Sequence, residues 1–166
     1  PDHPGVLHYT IHAYDFPTLA ERALPTARSY GEVAPENSHA LHMTSHIFTR
    51  LGMWPESITY NERAADAARE RTLEDTVSMH HFHALDYLAY AHLQVADEDA
   101  ARAIYGDLSV LEEPFQDHAA TAYTLAAVPV RLALERHRWS EAASIDTDLP
   151  GALAWERYPH LQALPY

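Results

Sequence analysis

Histidine is the residue type whose number and spacing in this chain point to chemistry. Thirteen of the 166 residues are histidine, and six of these fall in the segments PDHPGVLHYTIHAYD and HALHMTSH. Offsets of three, four and seven residues return to the same side of an α-helix. The spacing therefore predicts two imidazole stripes on helical faces, one with His8 and His12 and the other with His39, His42 and His46.

An imidazole stripe is a candidate metal site. Neutral imidazole is the commonest metal ligand among protein side chains, and it suits zinc, copper, iron and nickel. The chain has no cysteine, which excludes disulfides, thiolate ligands and cysteine nucleophiles. Any bound metal would therefore be held by nitrogen and oxygen ligands, and we predict Zn²⁺ or another divalent transition metal as the cofactor.

The composition is that of one folded, acidic domain. Hydrophobic residues make up 47% of the chain and charged residues 21%, which is ordinary for a globular protein. The formal net charge of −13 opposes binding to nucleic acid and to anionic membrane surfaces, because like charges repel. No apolar run is long enough to predict a membrane span. These features favour cationic partners or metal ions and leave the compartment open between cytoplasm and periplasm.

An internal repeat predicts the architecture that positions the histidines. Similar segments surround Phe16, Trp54, Glu98 and Trp139, which stand 38, 44 and 41 residues apart. Apolar residues at helical spacing accompany these anchors. The repeat predicts four helical hairpins, at about 1–34, 37–72, 75–112 and 117–149, followed by the start of a further helical unit at 150–166. Because the chain begins without Met and stops within an apolar segment, we expect it to be part of a longer parent chain.

The repeated segments resemble a known family. Residues in the second half of two units are similar to those of a tetratricopeptide repeat: Gly52, Trp54, Ser57, Ile58 and Ala65, and again Trp139, Ala142 and Ala143. Two histidine segments also resemble the HPGxxHYxIHxYD and HALHMPSHIF signatures of a group of uncharacterised bacterial tetratricopeptide-repeat proteins, with Thr44 in place of the proline. Ala96 and His137 depart from the family, because they stand where the turn glycine is usual.

The resemblance implies both a fold and a binding surface. Tetratricopeptide repeats form a right-handed α-solenoid of antiparallel helical hairpins, in which the first helix of each hairpin lines a concave face. We therefore expect an all-α protein of this kind. Folds of this type are mostly binding scaffolds, so the resemblance implies a peptide, protein or small-molecule ligand in the concave groove.

Alignment of the hairpins on their anchors places equivalent residues of successive first helices side by side. Helix axes roughly 8–10 Å apart allow two imidazoles to share one ion. The expected neighbours are His8 with His46, and His39 or His42 with His83 and Asp86. The predicted metal ligands are His8, His12, His39, His42, His46, His83 and Asp86.

The same alignment predicts the other polar residues that line the groove. Asp15 and Asp86 are candidates either for ligation or for orienting an imidazole through its second ring nitrogen. The remaining polar residues on this face are candidate contacts for an organic ligand: Arg50, Tyr90, Gln94, Arg131 and Glu135.

Two functions are compatible with these residues. We favour a non-catalytic ligand-binding scaffold whose histidine-lined groove either binds a transition metal or contacts a peptide or small anion directly through His, Tyr and Arg side chains. The alternative is a hydrolase-like metal enzyme, in which an ion held by His42, His46 and His8 activates water and Asp86 or Glu135 is the general base. The sequence has no glycine-rich phosphate loop, no GxSxG and no HExxH motif.

Other residues near the clusters have ordinary structural interpretations. His80 and His81 are adjacent, so they point in different directions and only one of them can face the groove. Four histidines are expected on the surface or in structural hydrogen bonds: His92, His118, His137 and His160. The stripe opposite the second histidine cluster is apolar and should be core: Met43, Ile47, Phe48 and Leu51.

Overall fold

The computed structural model describes residues 3–70, 76–111 and 114–145, and its secondary structure is helical. Eight helices lie in these ranges: α1 (Pro4–Tyr14), α2 (Ala20–Val33), α3 (Ser38–Arg50), α4 (Trp54–Glu70), α5 (Met79–Gln94), α6 (Glu98–Ser109), α7 (Ala119–Leu134) and α8 (Trp139–Ala142). The only β-pairing among the described residues is an isolated bridge between Val77 and Phe115. The prediction of an all-α protein is confirmed. The helical unit expected at 150–166 lies outside the described residues.

Side chains cap the N-termini of five helices. The caps are His3, Asn37, Ser78, Asp97 and His118, and each accepts a hydrogen bond from a backbone N–H two or three residues later, at 2.9–3.2 Å. Such caps satisfy N–H groups that have no partner within the helix. His118 therefore has the structural role expected from the sequence, and His3 has the same role at the start of α1.

The turns after α3, α5 and α7 share one structure. Gly52, Ala96 and His137 have φ of 67°, 63° and 53°, in the left-handed region that favours glycine. The residue after each of them donates its N–H to the carbonyl five positions earlier, at 2.8–2.9 Å, which is the long hydrogen bond of a Schellman motif. Ala96 and His137 thus adopt the conformation of the turn glycine that they replace, at a cost of about 1 kcal/mol or more each.

Helices α3 and α5 lie in the middle of the described structure. Helix α3 contacts α1, α2, α4 and α5, and α5 contacts α3, α4, α6 and α7. The odd-numbered helices α1, α3, α5 and α7 are therefore neighbours in that order. Met43, Ile47 and Phe48 on α3 are at most 1% exposed, which confirms the predicted apolar stripe, and Leu51 packs partly buried against the same cluster.

Hydropathy gives no candidate for a membrane span. Within the ranges that the structure describes, no helix combines the length and the apolar character needed to cross a bilayer. The longest of them, α4, has 17 residues and includes acidic and basic side chains.

The left-handed turn at Ala96 generates a test of the shared turn structure. Ala96→Gly should raise the free energy of unfolding by up to about 1 kcal/mol, because glycine adopts this φ without a steric penalty. Ala103→Gly is the matched control: Ala103 is an exposed residue inside α6, where glycine should cost about 0.5–1 kcal/mol. Urea unfolding measures both changes. Equal destabilisation by the two substitutions would contradict the left-handed turn.

Candidate metal site

Seven histidines from three neighbouring helices lie on one face of the described structure. The centroid of each imidazole ring lies within 5.2 Å of the centroid of another histidine ring. We call this surface the histidine face, formed by His8 and His12 from α1, His39, His42 and His46 from α3, and His80 and His83 from α5. The side-by-side packing of α1, α3 and α5 creates it, because each helix directs its imidazole stripe to the same side.

The tightest group on the histidine face is His42, His46 and His83. Each can offer a ring nitrogen that lies within 4.8 Å of those of the other two. The Nε2 atoms of His42 and His46 are 3.1 Å apart, and the rings of His42 and His83 have centroids 4.3 Å apart. Two nitrogens that share a tetrahedral zinc ion are separated by about 3.3–3.4 Å, given Zn–N bonds of about 2.0–2.1 Å. The group therefore has the geometry to hold a metal ion.

Asn61 sets the orientation of His42. The Asn61 amide group donates through Nδ2 to the carbonyl oxygen of Ser57 at 2.8 Å, and its Oδ1 accepts from Ser45 at 3.2 Å. Its Oδ1 therefore faces Nδ1 of His42, 2.8 Å away. Because an amide oxygen only accepts hydrogen bonds, Nδ1 of His42 carries the proton. The lone pair of the His42 ring is consequently on Nε2.

Asp15 sets the orientation of His46 in the same way. Its Oδ2 lies 2.9 Å from Nδ1 of His46, and its Oδ1 accepts from Nε of Arg50 at 2.6 Å. Burial opposes ionisation of Asp15, but the hydrogen bonds from His46 and Arg50 outweigh it and lower the pKa of the carboxyl group. An ionised carboxylate requires a proton on Nδ1 of His46. The carboxylate–imidazole pair thus directs the Nε2 lone pair of His46 away from Asp15.

The two hydrogen bonds create an unfavourable contact in the metal-free protein. With the proton of each neutral ring on Nδ1, the Nε2 lone pairs of His42 and His46 face each other across 3.1 Å. Burial, together with the nearby His83 and His46, lowers the pKa of His42 well below its ordinary value, so a proton on His42 is disfavoured at neutral pH. A divalent cation removes the repulsion, because it accepts both lone pairs.

Three predicted ligands form a neighbouring group on the same face. Nε2 of His8 lies 3.2 Å from Nε2 of His12 and 3.0 Å from Nε2 of His39. The expected neighbour of His8 was His46, about two helical turns further along α3 than His39. The turn after α1 also differs from the turns after α3, α5 and α7, because none of its residues has the left-handed φ found at Gly52, Ala96 and His137.

Asp86 has a different partner from the predicted one. It is 2% exposed, and its carboxylate accepts a hydrogen bond from Nη1 of Arg131. Burial raises the pKa of Asp86 while Arg131 opposes that effect. Arg131 also donates to Tyr123 at 3.2 Å and lies over the ring of Tyr90. The structure therefore places Asp86 in an ion pair, outside the group formed by His42, His46 and His83.

The other predicted groove residues line the odd-numbered helices. Gln94 donates to Glu135 at 3.2 Å, so these two residues are neighbours as the alignment predicts. Tyr90 makes an edge-to-face contact with Trp54, and Arg50 is paired with Asp15. None of these four polar side chains belongs to the three-histidine group.

Sequence analysis missed Tyr87 and Asn61 and left open which of His80 and His81 faces the groove. His80 and Tyr87 stand three residues before and four residues after His83, so helical periodicity was a sufficient signal for both. His81, the neighbour of His80, instead directs Nδ1 to the carbonyl oxygen of Ala65. Asn61 comes from α4, the second helix of its hairpin, and no spacing within the sequence connects it with His42.

Tyr87 adds a neutral hydroxyl group to the site. Its oxygen lies 3.3 Å from Nδ1 of His46, and its ring packs edge-to-face against His42. Burial raises the pKa of Tyr87 to about 12. The phenol therefore stays protonated at neutral pH and can donate a hydrogen bond to a ligand beside the histidines.

Comparison of the chain with protein-family models, with curated proteins and with solved structures found no match.

The burial of His83 generates a pH prediction for the metal-free protein. Its pKa is about 4 in the folded chain and about 6.5 in the unfolded chain. The unfolded chain therefore takes up the proton first, and the free energy of unfolding should fall as pH drops from about 6.5 to 4. Its contribution is on the order of 2–3 kcal/mol. Urea unfolding with a chelator present measures this dependence. His83→Gln should flatten it, and parallel pH curves for the two proteins would contradict the assignment.

Proposed function

We propose that this protein binds a divalent transition metal ion through His42, His46 and His83. The observation that carries the proposal is that the Nε2 atoms of His42 and His46 lie 3.1 Å apart, while Nδ1 of each ring faces an acceptor oxygen. Two separate hydrogen bonds from the opposite ring nitrogens, to Asn61 and to Asp15, maintain this arrangement. A cation between the rings converts a repulsive contact into two ligand bonds, so the site is organised for metal before metal arrives.

Zinc is the metal that the donor set favours, with other divalent transition metals as competitors. The three ligands are neutral imidazoles, which suit zinc, copper and nickel better than calcium or magnesium. The His46–Asp15 pair places one carboxylate behind the ligands, an arrangement common among zinc-bound histidines. The net charge of −13 attracts cations to the protein at long range.

The scaffold around the site is proposed to be a right-handed solenoid of tetratricopeptide-like hairpins. Two observations support it: the three equivalent Schellman turns at Gly52, Ala96 and His137, and the neighbouring positions of α1, α3, α5 and α7. In such a scaffold the histidine face lies in the concave groove, beside Arg131 and Tyr90. We propose that the groove binds a peptide, protein or small molecule next to the metal ion.

A metal-dependent hydrolase is the second candidate. Three protein ligands leave one tetrahedral position for water, as in catalytic zinc sites, and zinc lowers the pKa of such a water. The hydroxyl of Tyr87 lies beside the histidines. Asp86 and Glu135 are less suited to act as general bases, since they are paired with Arg131 and Gln94. Turnover of activated esters or phosphate esters by the zinc-loaded protein, absent in His83→Ala, would favour this candidate over simple binding.

The metal proposal predicts a metal-dependent rise in thermal stability. Zn²⁺ at a hundredfold excess over its Kd should add about 2.7 kcal/mol to the free energy of unfolding, because it binds only the folded chain. His83→Ala should abolish most of this gain. His81→Ala is the matched control on the same helix, since His81 faces the carbonyl of Ala65, and it should retain the full metal effect. Differential scanning calorimetry with and without Zn²⁺ distinguishes these outcomes. An unchanged metal response in His83→Ala would refute the site.

The carboxylate behind His46 provides a separate test. Asp15→Asn should weaken zinc binding about 10–100-fold, because Arg50 engages the amide oxygen and only an NH₂ donor is left to face Nδ1 of His46. Asp66→Asn makes the same charge change at an exposed position of α4 and controls for the loss of long-range attraction. Competition with a chromophoric chelator gives both dissociation constants. Equal weakening by the two substitutions would show that Asp15 acts only through its charge.

A further inference from the structure

We infer that the histidine face has a second site for a divalent transition metal, built from His8, His12 and His39. It uses none of the three ligands proposed above, so it does not depend on them. The ligands come from two helices, α1 and α3, whose packing brings the three imidazoles together.

The geometry is centred on His8. Its Nε2 lies 3.2 Å from Nε2 of His12, four residues later on the same helix, and 3.0 Å from Nε2 of His39 across the helix interface. Both separations are near the spacing of two nitrogens that share one ion, which is about 3.3–3.4 Å for tetrahedral zinc. An ion bound to His8 thus lies within reach of either neighbour.

Hydrogen bonding alone does not satisfy this arrangement. A ring nitrogen of neutral imidazole has either one proton or one lone pair, directed along a single line in the ring plane. Nε2 of His8 therefore makes at most one good hydrogen bond, yet it has two nitrogen neighbours. A cation resolves the conflict between His8 and either neighbour, because it accepts one lone pair from each of the two rings. Rotation of the exposed His12 side chain then brings the third ring to the ion.

The environment of the three rings also favours a cation. The formal net charge of −13 attracts cations to the protein at long range. His12 is exposed, so its side chain is free to rotate toward an ion on His8, and the ion has access from solvent.

The exposure of His12 distinguishes the second site from the first. His42 is buried and its ring is fixed by Asn61, whereas His12 has no such support in the described structure beyond its contact with His8. A flexible ligand loses more conformational entropy when it binds. The second ion should therefore bind more weakly and exchange faster than the first.

The two sites are close enough for their ions to interact. The ring centroids of His12 and His46 are 6.3 Å apart. Two paramagnetic ions held by these rings should broaden each other's electron paramagnetic resonance signals. This effect distinguishes a second ion on the histidine face from an ion bound elsewhere on the acidic surface.

Metal stoichiometry tests the inference. Equilibrium dialysis of the untagged protein against Zn²⁺, followed by elemental mass spectrometry, should give two ions per chain, one of them weaker. His8→Ala should bind one ion with the tight affinity unchanged. His12→Ala, at an exposed position with little risk to folding, should weaken only the second ion. His3→Ser, which keeps a capping oxygen at the start of α1, is the matched control and should still bind two ions.

Titration with Cu²⁺ gives a second test. The electron paramagnetic resonance signal should broaden at the second equivalent of Cu²⁺ in the parent protein but not in His8→Ala.

The outcomes separate this inference from the proposed function. Saturation of the parent chain at one ion, or two ions bound by His8→Ala without loss of affinity, would overturn the second site. Loss of the tight ion in His83→Ala with the weak ion retained supports both sites. If His83→Ala binds as the parent does while His8→Ala loses an ion, the second site stands and the first fails.

Discussion

The organisation of the histidine face depends on hydrogen bonds at the ring nitrogens that face away from its centre. Asn61 and Asp15 each accept a hydrogen bond from Nδ1 of a histidine, and this fixes both the tautomer and the direction of the Nε2 lone pair. Without these two acceptors, a neutral imidazole would be free to place its proton on Nε2 and donate to its neighbour. The contact between His42 and His46 would then be an ordinary hydrogen bond, and there would be no repulsion between lone pairs for a cation to relieve.

The packing of the helices gives these hydrogen bonds their rigidity. Asn61 is itself held by Ser57 and Ser45 and is fully buried. Asp15 lies at the end of α1, where Arg50 of α3 neutralises it. Three helices therefore meet around two imidazoles, and a change in the packing of any one of them would move a ligand. Binding energy from a metal would in turn stabilise the contacts among α1, α3, α4 and α5.

The comparison of sequence with structure is most instructive at the helix interfaces. Periodicity within α3 predicted correctly that His42 and His46 share a stripe opposite Met43 and Ile47. The register between helices was less predictable. The alignment on anchors placed His8 beside His46, whereas the structure places His8 beside His39, about two helical turns earlier on α3. Each helical turn moves a side chain by about 5.4 Å along the axis, so such a shift is enough to exchange one metal ligand for another.

The sequence by itself determined the helical class, the imidazole stripes, the apolar stripe behind them and the turn positions at Gly52, Ala96 and His137. These are local properties, governed by residue type and by the 3.6-residue period of the helix. Only the tertiary structure decided that His83 joins His42 and His46 and not His39, that Asp86 pairs with Arg131, and that Asn61 supports His42. These contacts join residues 19 to 45 positions apart, and their distances depend on how far each helix slides and rotates against its neighbours. No spacing along one chain records that displacement.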